Sequence, residues 1–214
     1  MRKPLSRAVL NLSLGAAICG CGGPSTPGMM GTMPDANRMQ KQSELMQKLA
    51  SEPDLPPWYA QRDRVAQAMG DRAFDKDFDR VFDSVTVALA TLGANVNNME
   101  RQSGYITSAV PSLGPEREKR LQMQAAREYC RYHKYDPSLL EKGKDDEFGM
   151  DVFMMTGMNR YGQAMTISMV RQGKEQTKVK VRFSNIHYPA QLEDYYKTVW
   201  AAIDKQIFLD RGLD

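Results

Sequence analysis

The side chains that most often act as nucleophiles and bases are sparse in this chain. Among its 214 residues are two histidines and three cysteines. Cys130 and His133 lie three residues apart in "AAREYCRYHKY", a spacing that places both on one side of a helix. A thiolate beside an imidazole is the reactive pair of cysteine enzymes, but no third partner or oxyanion motif accompanies this one, and a structural thiol is favoured. His187 falls at a predicted strand–helix junction, where we expect it to form hydrogen bonds.

Motifs for other chemistries are missing from the sequence. It contains no glycine-rich phosphate loop, no paired metal-ligand motif and no serine-hydrolase elbow. The closely spaced Asp75, Asp77 and Asp79 fit the first turn of a predicted helix, where carboxylates are favourable. The sequence therefore predicts a protein that is not an enzyme and that uses no cofactor or metal.

The N-terminus has the layout of an export signal. Arg2, Lys3 and Arg7 form a basic head, and an apolar stretch follows at residues 8–18. The stretch is shorter than the roughly 20 apolar residues needed to cross a bilayer. A basic head, a short apolar run and small residues are typical of a secretory signal peptide.

Two cysteines end this segment, in "AAICGCGGPST". The run Ile18-Cys19-Gly20-Cys21 resembles the lipobox of bacterial lipoproteins, in which the last cysteine is acylated after cleavage before it. Cys21 fits that position, whereas Cys19 does not, because bulky Ile18 precedes it. The resemblance implies that residues 1–20 are a signal peptide and that Cys21 is the lipid-attachment site. It also implies a lipid-anchored protein of the cell envelope, on the outer membrane and facing the periplasm.

Signal cleavage changes the charge balance. The whole chain has 29 basic and 26 acidic residues, and loss of the three basic residues of the signal leaves 26 of each. A nucleic-acid partner would require a basic excess, so we expect none. The expected partners are the membrane, through the acyl chains, and other envelope proteins.

The segment before the folded domain divides into two parts. Residues 21–38 are rich in Gly, Pro and Met and predict a flexible tether. Residues 39–71 predict a short polar helix followed by a Pro-rich connector. We expect Trp58 and Tyr59, which follow these prolines, to dock onto the domain, and Trp58 is also a candidate interaction residue.

The domain itself is predicted to span residues 72–214. Apolar residues at three- and four-residue steps predict an amphipathic helix that ends at Gly93, and a hairpin with a turn at Gln102–Gly104 follows. A charged helical insertion is expected at about residues 111–147. Its basic side is the candidate interaction surface for acidic lipid or a protein, with a merely solvated face as the alternative; the candidate residues are Arg120, Arg127 and Arg131.

Three strands and a long helix complete the prediction. "MDVFMMTGMN" is apolar on both sides, whereas "QAMTISMVRQ" and "TKVKVRFSNI" alternate apolar and polar residues, as expected for an antiparallel sheet covered on one face. The closing helix carries an apolar stripe, with Trp200 expected at its edge; the stripe consists of Leu192, Tyr196, Val199, Ile203 and Ile207. Together these elements predict a two-layer α+β fold in which two helices cover one face of the sheet.

This order resembles the helix-grip arrangement of the BamC-like lipoproteins, accessory parts of the outer-membrane β-barrel assembly machinery. The resemblance rests on "VFDSVTVALATLGANVNNMERQSGYITS" and "YYKTVWAAIDKQIFLD". It implies a non-catalytic interaction or assembly-accessory module. The alternative is a binder of lipid or of a small apolar ligand, in a cavity between the sheet and the last helix. In that case a methionine set would line the cavity, at positions 150, 154, 155, 158, 165 and 169.

Overall fold

The computed structural model describes residues 36–140 and 162–210. The described helices are α1 (Ala36–Ser51), α2 (Pro56–Met69), α3 (Phe78–Thr91), α4 (Pro115–His133) and α5 (Pro189–Asp210), with a 3₁₀ helix at Pro137–Leu140. The described strands are β1 (Asp71–Phe74), β2 (Val96–Glu100), β3 (Tyr105–Ala109), β4 (Ala164–Arg171) and β5 (Thr177–Ser184). All of them belong to one compact unit, Met33–Asp214.

The strands form a single antiparallel sheet in the order β1-β5-β4-β3-β2. The predicted hairpin is present as β2 and β3. Gly104, at the end of its turn, has φ +67° and accepts a hydrogen bond from the Met169 amide at 2.8 Å. A Cβ at this position would lie 2.5 Å from the Met169 carbonyl oxygen. Both the backbone angle and this close approach therefore require glycine.

Helices α3 and α5 cover one face of this sheet and form the main core with it. The inward side chains of β4 and β5 alternate as predicted, and Met165, Ile167, Val179 and Val181 are buried against the two helices. The predicted stripe of α5 is entirely buried. The protein thus has the predicted α+β fold, an antiparallel sheet with two helices on one face.

Local signals explain where α3 begins and ends. The Asp77 side chain accepts hydrogen bonds from the amides of Asp79 and Arg80 at 3.0 and 3.1 Å, which caps the N-terminus. Leu92 is the C-cap residue, and Gly93 follows it with φ +62°. A left-handed glycine after a helix is the usual termination signal, so the predicted end is confirmed.

A second apolar cluster lies outside the sheet layer. It joins α1, α2, α4, the 3₁₀ helix and Tyr188; its members include Leu45, Leu49, Trp58, Leu121, Tyr129 and Leu140. The sequence predicts α1 but treats residues 52–71 as a connector, and there the structure differs, because it contains α2 and the start of β1. Pro56 and Pro57 occupy the first turn of α2, where proline is favourable.

Two aromatic residues differ from expectation. Trp200, expected at the edge of the α5 stripe, is 1% exposed, and its indole N–H donates to the Met69 carbonyl at 2.6 Å. Tyr59 is 52% exposed and does not dock, whereas its neighbour Trp58 does. The strand predicted at "MDVFMMTGMN", the end of the insertion and nearly all of the tether lie outside the described residues.

Candidate functional site

The predicted basic surface lies on α4. Proline begins this helix at Pro115, and the Glu118 carboxylate accepts a hydrogen bond from the Leu113 amide at 2.9 Å, which fixes the first turn. The inner side of the helix is buried in the second cluster through Leu121 and Tyr129, among others. The opposite side of α4 therefore faces solvent.

Arg120, Arg127 and Arg131 lie on that outer side and are exposed. None of the three forms a hydrogen bond or an ion pair with a residue of the described ranges. Other arginines of the protein are paired: Arg117 Nε lies 2.6 Å from Asp194 Oδ2, and this hydrogen bond raises the pKa of the Arg117 guanidinium. The spacing of the α4 arginines thus aligns three positive charges on one surface.

Trp58, the fourth candidate residue, is not part of that surface. It is 1% exposed and packs edge-on against Tyr188, with ring centroids 5.2 Å apart. Its indole N–H donates to the Glu128 carboxylate at 3.0 Å. Trp58 therefore holds α2 against α4, and its burial removes it from any surface available to a partner.

The Cys130–His133 pair is arranged for packing. The Cys130 thiol is fully buried, and burial, with a smaller contribution from Asp136, raises its pKa. Burial lowers the pKa of His133, whose ring lies against Tyr129 and Tyr132 at centroid distances of 4.5 and 5.0 Å. Burial and the raised pKa favour the thiol of Cys130 over the thiolate, which is the nucleophilic form.

A polar cleft of about 310 Å³ lies where α2 meets the loop between β5 and α5. Asp54 binds Arg62 Nη1 at 2.6 Å with one oxygen, and the other lies 3.0 Å from His187 Nδ1. Arg62 also donates to the carbonyls of Ile186 and His187, both at 3.2 Å. Among the described residues, none of those lining this cleft is Ser, Thr, Cys or Lys. The arrangement joins the N-terminal helices to the main core, and we interpret it as a structural latch.

The sequence could not reveal this latch, because Arg62 and His187 are 125 positions apart. It does predict that His187 lies at a strand–helix junction, and the residue is found between β5 and α5. No residue type or motif near Asp54 in the sequence indicates that its carboxylate would lie against both Arg62 and His187.

A third region is the shallow cleft of about 250 Å³ between α3 and the last turn of α5, and most of its lining is charged or polar: Arg80, Asp83, Ser84, Gln206 and Asp210. Val87 from α3 and Leu209 from α5 line it and are 49% and 52% exposed. Phe208, on the same turn of α5, is 71% exposed. We name Val87, Phe208 and Leu209 the α5-end patch. The sequence does not reveal this patch, because the helical stripe accounts only for the buried side of α5.

Helices long and apolar enough to cross a bilayer do not occur in the described ranges. The same ranges contain no group of three acidic, histidine or cysteine side chains that could hold a metal ion. Comparisons of the chain with protein-family models, with curated proteins and with solved structures return no significant match.

Proposed function

We propose that this chain is a lipid-anchored protein of the bacterial cell envelope whose folded part is a non-catalytic protein-interaction module. Support for the anchor comes from the N-terminal sequence, with its short apolar run and the Ile18-Cys19-Gly20-Cys21 lipobox. In this proposal the acyl chains on Cys21 hold the domain at the outer membrane. Its partners are envelope proteins, of the barrel-assembly kind that the helix-grip resemblance implies.

The observation that carries the interaction function is the α5-end patch. Single exposed apolar residues are common on protein surfaces, whereas contiguous exposed apolar surface marks interaction sites. Val87 and Leu209 line one cleft between charged and polar neighbours, and Phe208, next to Leu209 in α5, lies outside that lining. Val87 and Leu209 come from two helices whose buried sides form the main core. A partner bound there would therefore rest on a rigid support.

The alternative function, binding of a lipid or a small apolar ligand, has less support. It requires space between the sheet and α5, yet Met165 and Met169 are buried in the core there. Neither lines the clefts at Asp54 and Val87, nor a further cleft of about 360 Å³ between α2, Glu128 of α4 and the start of α5. The other four methionines of that hypothesis lie outside the described residues.

Site-specific photo-crosslinking in cells tests the interaction function. Phe208 is replaced by benzoylphenylalanine in the full chain, and Tyr59, an exposed aromatic residue of α2, is replaced likewise as the control. We expect a discrete crosslinked species from position 208 and none from position 59. Adding Val87→Glu should abolish that species. An identical pattern from both positions, or no product at 208, would refute the proposal.

A further inference from the structure

We propose that the α4 arginines bind the anionic phospholipid surface of the membrane that anchors the chain. The inference rests on the proposed anchoring at Cys21 and adds a second membrane contact, which would orient the domain. Arg120, Arg127 and Arg131 form the centre of this contact. The α5-end patch then remains available to a protein partner.

The shape of the basic surface favours a membrane over a peptide. Arg131 follows Arg120 by 11 residues, so the arginines extend along about 17 Å of helix. None of the three lines the clefts at Asp54, Glu128 or Val87. A linear row of charges on a convex helix suits an extended surface of like, negative groups, and phospholipid headgroups provide one.

The path of the chain supplies an independent reason. Helix α1, where the predicted tether ends, begins beside the 3₁₀ helix that follows α4. Arg38 donates to the Ser138 carbonyl at 3.3 Å, and Gln42 donates to the Leu139 carbonyl at 2.9 Å. Ala36 is 15 residues after Cys21, a length that spans about 20 Å as a flexible coil. The anchor therefore enters the domain at the same end of α4 as Arg131.

The chemistry of the contact follows from the residue types. A guanidinium group offers a planar fork of N–H donors that matches two oxygens of a phosphate. The apolar side of α4 is occupied by the protein core and is not available for insertion among acyl chains. Binding would be electrostatic, and it would weaken with salt because exposed charges are screened within about 8 Å at physiological ionic strength.

Vesicle co-sedimentation tests the inference without the lipid anchor. All proteins begin at residue 21 and carry Cys21→Ser, so none has acyl chains or the basic signal segment, and the vesicles contain phosphatidylcholine with or without phosphatidylglycerol. Arg127→Glu/Arg131→Glu is compared with Lys174→Glu/Lys205→Glu, which alters the net charge equally at exposed lysines elsewhere. We expect the arginine variant to lose at least about tenfold in affinity for anionic vesicles, and the lysine control to change less than about twofold.

Other outcomes are also decisive. Equal losses in the two variants would overturn the proposal, because binding would then follow net charge and not the α4 surface. Absence of binding to anionic vesicles would overturn it too, and a crosslink from position 131 to an acidic protein would assign the surface to that protein. If the Glu variant melts early, Arg127→Gln/Arg131→Gln replaces it, with a smaller loss expected. Vesicle binding without a crosslink from position 208 would refute the proposed function alone.

Discussion

Removal of the Trp58 side chain should destabilise the whole domain and not only its N-terminal helices. Trp58 joins α2 to α4 in the second apolar cluster. This cluster is tied to the main core where α2 ends: the Trp200 indole donates to the Met69 carbonyl at 2.6 Å, and the Val181 amide donates to the Gly70 carbonyl at 2.8 Å. A cavity at Trp58 should therefore reduce the stability of both clusters together.

The expected size of the effect follows from burial and bonding. Replacement of a buried tryptophan by alanine costs about 3–5 kcal/mol, a large share of the 5–15 kcal/mol that holds a typical domain folded. Trp58→Phe keeps most of the packing against Tyr188 but leaves the Glu128 carboxylate without its 3.0 Å hydrogen bond. For that variant we expect a loss of about 1–3 kcal/mol.

Urea unfolding monitored by tryptophan fluorescence provides the assay. The chain has two tryptophans, so in Trp58→Ala the signal comes from Trp200, which is buried in the main core. In Trp58→Ala we expect the midpoint of the Trp200 transition to lie at a clearly lower urea concentration than in Trp58→Phe. A Trp200 transition that stays at the urea midpoint of Trp58→Phe would refute the reasoning, because the two clusters would then unfold independently. Residues 72–214 would in that case fold alone, as the sequence predicts.

Three further predictions concern single side chains. Ile203→Ala should cost about 2–5 kcal/mol in thermal unfolding, because Ile203 is fully buried, while Lys205→Ala on the exposed side should leave the melting temperature nearly unchanged. Burial, with Glu52 and other neighbours, raises the pKa of Tyr129 to about 12. The unfolded chain releases this proton near pH 10 and the folded one does not, so stability should fall between pH 10 and 12 by about 2–3 kcal/mol, and less steeply in Tyr129→Phe. Gly104→Ala should lower the unfolding free energy by at least about 1–2 kcal/mol, measured by urea titration, because of its positive φ and the nearby carbonyl.

The elements that the sequence predicts well have strong periodicity and a clear end. Helix α3 has an apolar stripe, a capping Asp77 and a terminal Gly93, and β5 alternates along its whole length. Helix α2 lacks such a stripe, and Trp58 is its one buried residue among those described. Its prolines therefore favoured the prediction of a connector over that of a helix. Strand β1 has four residues and becomes recognisable only through its pairing with β5.

In the candidate site, too, the features set by local sequence could be predicted, and those set by distant contacts could not. Helical spacing alone aligns Arg120, Arg127 and Arg131, and the structure places all three on an exposed side of α4. The position of α1 beside the end of α4 depends on contacts about 100 residues apart, such as Arg38 with Ser138. Tertiary packing also decided the burial of Trp200, since its partner Met69 is 131 positions away.

The most direct test of the account is acyl-chain labelling of the protein in cells. A radiolabelled or alkyne-tagged fatty acid should appear on the wild-type chain and on Cys19→Ser, and be absent from Cys21→Ser, which should also remain at the mass of the uncleaved precursor. That result would place the anchor at Cys21 and the domain at the envelope. Label that survives Cys21→Ser, or that is lost with Cys19→Ser, would contradict the assignment and with it the proposed function.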